Sequence, residues 1–244
     1  MKKIFFSAIA LLLTSGSLVK AQDLTVINDK NAEVRTVGSF HAIKVSNSFD
    51  VIIKQGNEEA VVVSADDAKY RDRIKVKVEG DVLHIYYENE GKWKWGNDDH
   101  KLRAYISVKQ LDFIDASGAC DVKIDGVLKG TNLKVKISGA TSFKGEMNFN
   151  NLLIDQSGAS DSKLSGKVTN LNIQVSGASD FKGFDLMADN CIASASGASD
   201  IKITVNKDLK IDASGASDVE YKGNASLSGS KTSGASSIKK RSSK

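Results

Sequence analysis

The sequence predicts an all-β chain that stacks on itself as a parallel β-solenoid of coils about 19 residues long, preceded by a less regular β region. Three observations carry that prediction. A Ser-Gly-Ala motif returns seven times at nearly constant spacing, the residues before it alternate apolar and polar, and no helix-length pattern interrupts the repeats.

The motif reads S-G-A-C-D from Ser117, S-G-A-T-S from Ser138, S-G-A-S-D from Ser157, Ser176, Ser196 and Ser214, and S-G-A-S-S from Ser233. Successive starts lie 21, 19, 19, 20, 18 and 19 residues apart. Five residues before the motif stand Leu133, Leu152, Leu171, Cys191 and Leu209, and three before stand Ile114, Val135, Ile154, Ile173, Ala193 and Ile211. Polar residues such as Lys134, Lys136, Asn172 and Gln174 fall between them, so the period is two and one face of a strand is buried. After the motif a second apolar position recurs at Val122, Phe143, Phe181, Ile201, Val219 and Ile238, with Ser162 the exception. Each repeat therefore reads as a strand, a Gly-Ala corner, a short strand and a Gly or Asn turn. Equal coils with one signature corner superimpose best when they wind in one direction, with neighbours about 4.8 Å apart. The glycines Gly118, Gly139, Gly158, Gly177, Gly197, Gly215 and Gly234 are assigned to structure, as the residues that permit the corner.

Stacking places Asp121, Asp161, Asp180, Asp200 and Asp218 in one row, and a row of lysines (Lys123, Lys144, Lys163, Lys182, Lys202, Lys239) two residues later, with Glu220 reversed. The two rows share a face and compensate each other. That reads as a register and solubility device; the competing reading makes Asp161, Asp180, Asp200 and Asp218 calcium ligands. Glycine-rich calcium rolls carry a turn about every nine residues, whereas this chain has one Asp per coil followed by a lysine. The Ser rows read as local turn hydrogen bonds rather than as a hydroxyl array for ice or glycan.

Ahead of the repeats, residues 22–110 carry alternating or β-rich runs at Phe40 to Val45, Phe49 to Lys54, Ala60 to Ser64, Ile74 to Val78, Val82 to Tyr87 and Leu102 to Val108, with turn signals at Gln55-Gly56-Asn57 and Glu79-Gly80-Asp81. This region is expected to pack on the first coil, leaving 111–239 as the repeat solenoid and 240–244 as a basic tail. Within it, Gly91 to His100 is the most conspicuous contact candidate. Trp93 and Trp95 lie on the same side of an extended segment with His100 near, and paired aromatic faces suit a glycan or an envelope protein. The plainer reading has both rings covering the edge of the N-terminal sheet.

The first 21 residues have two lysines, an apolar run from Ile4 to Leu13 and a Val19-Lys20-Ala21 end, the parts of a cleavable secretory signal. The run falls short of the roughly 20 apolar residues that span a bilayer, so no transmembrane segment is expected after cleavage, and the destination is the periplasm, the cell surface or the medium. Removing the segment takes three lysines and no acid from 34 basic and 30 acidic residues. The nearly neutral remainder gives no reason to invoke nucleic acid or an anionic membrane, and no nucleic-acid partner is expected. His41, His84 and His100 are scattered, Cys120 and Cys191 sit in different repeats, and neither a nucleophile elbow nor a phosphate loop occurs. No catalytic set and no cofactor is therefore expected. A polysaccharide-acting enzyme on a β-helix remains the alternative, and it would need acidic groups converging in a cleft.

The stretch Phe40-His-Ala-Ile-Lys-Val-Ser-Asn-Ser-Phe-Asp-Val-Ile-Ile-Lys-Gln-Gly56, with Val61-Val-Val-Ser-Ala-Asp66, Val82-Leu-His-Ile85 and the S-G-A-S-D coils, resembles the putative auto-transporter adhesin, head GIN domain family. The resemblance runs from about Phe40 to Ile238. It implies a right-handed β-helix-like fold at or outside the cell envelope, and carries over no catalytic or binding residue.

Overall fold

The computed structural model describes residues 29–88 and 100–242. Residues 1–21, expected to direct export, Trp93 and Trp95, and the last two residues of the basic tail lie outside them.

Seven short strands and one helical turn come first: β1 (Glu33–Arg35), β2 (Ala42–Asn47), β3 (Phe49–Gln55), β4 (Ala60–Ser64), α1 (Ala68–Arg71), β5 (Ile74–Glu79), β6 (Val82–Tyr87) and β7 (Leu102–Val108). The repeats follow as β8 (Phe113–Gly118), β9 (Asp121–Gly139), β10 (Ser142–Gln156), β11 (Asp161–Val175), β12 (Asp180–Ala195), β13 (Asp200–Ala213), β14 (Asp218–Lys222), β15 (Ser226–Thr232) and β16 (Ser237–Lys240). The helical turn was not foreseen; the Asp67 carboxylate starts it by accepting from the Lys69 amide at 2.9 Å.

The fold is a parallel β-solenoid of about seven turns. β9 through β13 pair in parallel, each to the next, in a register that sets like residue over like. Leu133, Leu152, Leu171, Cys191 and Leu209 form one inward column; Val135, Ile154, Ile173, Ala193 and Ile211 form the next. Val122, Phe143, Ser162, Phe181, Ile201 and Val219 form a third, after the corner, and every member of the three columns is buried. A slip of one residue would turn the whole set toward water, which fixes the register.

The corner explains the motif residue by residue. From Gly139 to Gly234 each corner glycine has φ between 72° and 82°, the left-handed region that a side chain resists. A Cβ on Gly177 would also stand 2.4 Å from the Gly158 carbonyl oxygen of the coil beneath. The following Ala donates its amide to that glycine's carbonyl, as Ala178 does to Gly158 at 2.8 Å, so the backbone ladder runs through the bend. The fourth residue turns inward and ties the corner off: Thr141 donates to the Ser138 carbonyl at 2.8 Å, Ser199 to Ser196 at 3.0 Å and Ser217 to Ser214 at 2.9 Å.

The expected N-terminal strands are all present, but they do not merely lie against the first coil. Ser46, Asn47 and Asp50 pair with Ser117, Gly118 and Asp121, so Ser46-Asn47-Ser48-Phe49-Asp50 is itself a corner. Asn47, with φ 83°, takes the glycine place, which asparagine tolerates better than most residues. β2 and β3 are then covered on their other side by β6 and β7, again in parallel. The coil formed first in sequence is thus sandwiched between two later ones. Beyond β6 and β7 the pairing turns antiparallel, with β5 on β6, β4 on β7 and β1 on β4 closing that end.

Candidate contact groove

A repeating coil makes its outer surface from columns, and one of these departs from the polar pattern. Between the inward Leu and Ile columns the outward positions are Lys134, Leu153, Asn172, Ile192 and Lys210, in register. Ile192 is 49% exposed and Leu153 partly exposed, although strand alternation alone would place polar residues at both.

Beside this column runs a row of asparagines. Asn151 donates its side-chain amide to the Asn132 side-chain carbonyl at 2.7 Å, Asn170 to Asn151 at 2.8 Å and Asn190 to Asn170 at 2.9 Å. Asp208 is next in register after Asn190. A groove of about 670 Å³ lies between the two columns. Asp112 and Lys134 lie toward one end of it, Asp208 and Lys210 toward the other. The ladder stands one residue before the Leu column at the repeat spacing, a signal present in the sequence but hidden by reading Asn only as a turn former.

Of the residues singled out from sequence, those that are described stand apart from the groove. His100 stacks on Tyr70, ring centroids 3.5 Å apart, with Tyr87 at 5.9 Å, near the start of β7 and away from the groove. Trp93 and Trp95 lie outside the described residues. The corner glycines stand in their own column.

The Asp row lies on the strand after the corner, and lysines meet part of it: Lys144 reaches Asp121 of the neighbouring coil at 3.9 Å, and Lys182 reaches Asp161 of the neighbouring coil and Asp180 of its own strand, each at 3.3 Å. Hydrogen bonds to Asp180 and then Asp161 raise the Lys182 pKa. Where the row reverses, Glu220 receives Arg241 at 2.6 Å. Among the described residues no three His, Cys, Asp or Glu side chains are placed to hold a metal ion.

Cys120 and Cys191 are free and buried. Burial pushes the Cys191 thiol up to about 12 and raises Cys120 as well, the reverse of what a nucleophile needs. His41 meets Asp112 at 3.0 Å and Asp81 at 3.7 Å. The hydrogen bond to Asp112 is the main cause that lifts its pKa above the ordinary value. No helix among the described residues is long and apolar enough to cross a membrane.

Solved structures share this architecture. A putative adhesin from Bacteroides fragilis superimposes with a TM-score of 0.75 at 20% identity, covering 88% of this chain and 98% of its own. A putative lipid binding protein from Parabacteroides distasonis gives 0.62 at 20% identity over 87% and 97%. A putative adhesin from Parabacteroides merdae gives 0.59 at 16% over 86% and 95%. At these identities the likeness is one of fold. No curated protein matches the chain. Residues 39–225 match the family described as putative auto-transporter adhesin, head GIN domain, and the chain belongs to that family.

Proposed function

We propose that the chain is an exported, non-enzymatic binding scaffold of the cell envelope or cell surface, and that the groove beside the asparagine ladder is its contact surface. The observation that carries this reading is the pair of outward apolar residues, Leu153 and Ile192, set in a groove that crosses successive coils of a stiff stack. A solenoid holds such a column straight because each coil is fixed by its neighbours. Family membership supports a binding role, and the export signal read from residues 1–21 supports the location.

The test is adhesion of labelled protein to immobilised mucin, matrix protein and envelope polysaccharide. Ile192→Asp and Leu153→Asp weaken adhesion together, while Lys163→Ala, on the charged strand after the corner, leaves it unchanged. Adhesion that survives both groove substitutions sinks this assignment of the surface.

A further inference from the structure

The chemistry of the groove selects among ligand classes, and we infer that its occupant is a neutral, extended, β-linked glycan lying along the solenoid axis. The inference rests on the groove being the contact surface. From the coil of Leu133 to that of Lys210 the groove crosses four spacings of ~4.8 Å, about 19 Å in all, too long and too regular for a compact ligand.

Three features decide the class. Charge is the first: Lys134 and Lys210 are balanced by Asp112 and Asp208, which gives no advantage to a polyanion or a polycation. Hydrogen-bonding capacity is the second. An amide side chain has two N–H donors and two acceptor lone pairs. In the ladder Asn151 and Asn170 each donate once and accept once to one another and to their neighbours. Each therefore keeps a donor and an acceptor for the groove, and a hydroxyl group can use both. A peptide strand would instead seek main-chain partners, but the backbone here is paired to the coil on either side. The third feature is alternation. The outward column reads Leu153, Asn172, Ile192, apolar, polar, apolar on successive coils. An extended β-linked glycan carries C–H ring faces flanked by hydroxyl edges along its whole length, so one chain offers apolar contact to Leu153 and Ile192 and hydroxyls to Asn172. An acyl chain would leave Asn172 facing hydrocarbon, with loss of its water.

The test is calorimetric titration of the folded protein with cellohexaose, chitohexaose and β-1,4-mannohexaose, beside a galacturonic acid hexamer and phosphatidylglycerol vesicles. At least one neutral hexamer binds, the matching trimer binds at least about tenfold more weakly, and Asn170→Ala and Ile192→Asp each weaken the hexamer by about tenfold or more. Lys163→Ala has no effect, and circular dichroism confirms that all variants fold. Absence of binding by all three neutral hexamers at millimolar concentration overturns the inference, as does binding unaffected by either groove variant. Binding of only the acidic hexamer or the vesicles, lost in Ile192→Asp, overturns the glycan and leaves the groove as the contact surface. Adhesion indifferent to Ile192→Asp and Leu153→Asp removes both.

Discussion

Single side chains in this stack carry unequal weight. At Gly177 a methyl group meets both a left-handed φ of 81° and a carbonyl oxygen 2.4 Å away, so Gly177→Ala is expected to cost about 3 kcal/mol in urea unfolding. A loss under about 0.5 kcal/mol, the ordinary effect of a surface substitution, would contradict the corner geometry. Ser162 is the other informative residue. It stands in the column of Phe143 and Phe181, and the space is filled by the fully buried Gln156. Gln156 donates to the Ser160 carbonyl at 2.6 Å and the Asp180 carbonyl at 2.9 Å, and accepts from Ser162 at 2.8 Å. Ser162→Ala leaves that buried acceptor without its hydroxyl, at about 1–3 kcal/mol. Gln156→Val with Ser162→Phe restores the apolar repeat and is expected to cost less than the sum of the single changes; additivity in a double-mutant cycle would refute the coupling.

At the scale of elements, charge joins strands only weakly, with one pH-dependent exception. Lys182 is about half exposed between its two aspartates, so Lys182→Ala is expected to change stability by less than about 1 kcal/mol. His41, just before β2, meets Asp81 at the head of β6 and Asp112 at the head of β8. Its pKa is raised in the fold, so the stabilisation is complete below the unfolded value of about 6.5 and is lost as pH rises through the higher folded value. Urea midpoints taken at about pH 5 and about pH 8 therefore differ less in Asp112→Asn than in the parent; an equal difference in both would exclude the contact. The strands were legible in the sequence because their period of two is local, and β3, β4, β6 and β7 sit where the alternation puts them. The pairing of β2 and β3 was not, since Asn47 in the glycine place, Ser48 in the alanine place and Phe49 in the fourth, serine place disguise the corner. The groove was hidden for a related reason: Leu153 and Ile192 look like strand hydrophobics until the register turns them outward.

For the molecule as a whole, stability follows from where a coil lies in the stack rather than from where it lies in the chain. Ile53 is fully buried and pairs with Ile106 on one side and Ile124 on the other, so it belongs to an interior coil although it comes early. Ile53→Asp places a charge between two covered layers and is expected to abolish the cooperative thermal transition followed by circular dichroism. Deletion of residues 226–244 removes only a terminal layer and is expected to lower the transition without abolishing it. The reverse ranking would mean that the layers are not arranged as their pairing states.

That sandwiched coil also sets a timetable. A chain is made and delivered from its first residue onward, and β3 emerges well before β7 on one side of it or β9 on the other. Until about residue 125 has appeared, β2 and β3 have no parallel neighbour complete on both sides. Later coils each close on a partner made about 19 residues earlier and can add one by one. Ordering of the early coil therefore waits on strands made later, and a chain ending before about residue 125 is expected to be cut by proteases at β2 and β3 more readily than the whole protein.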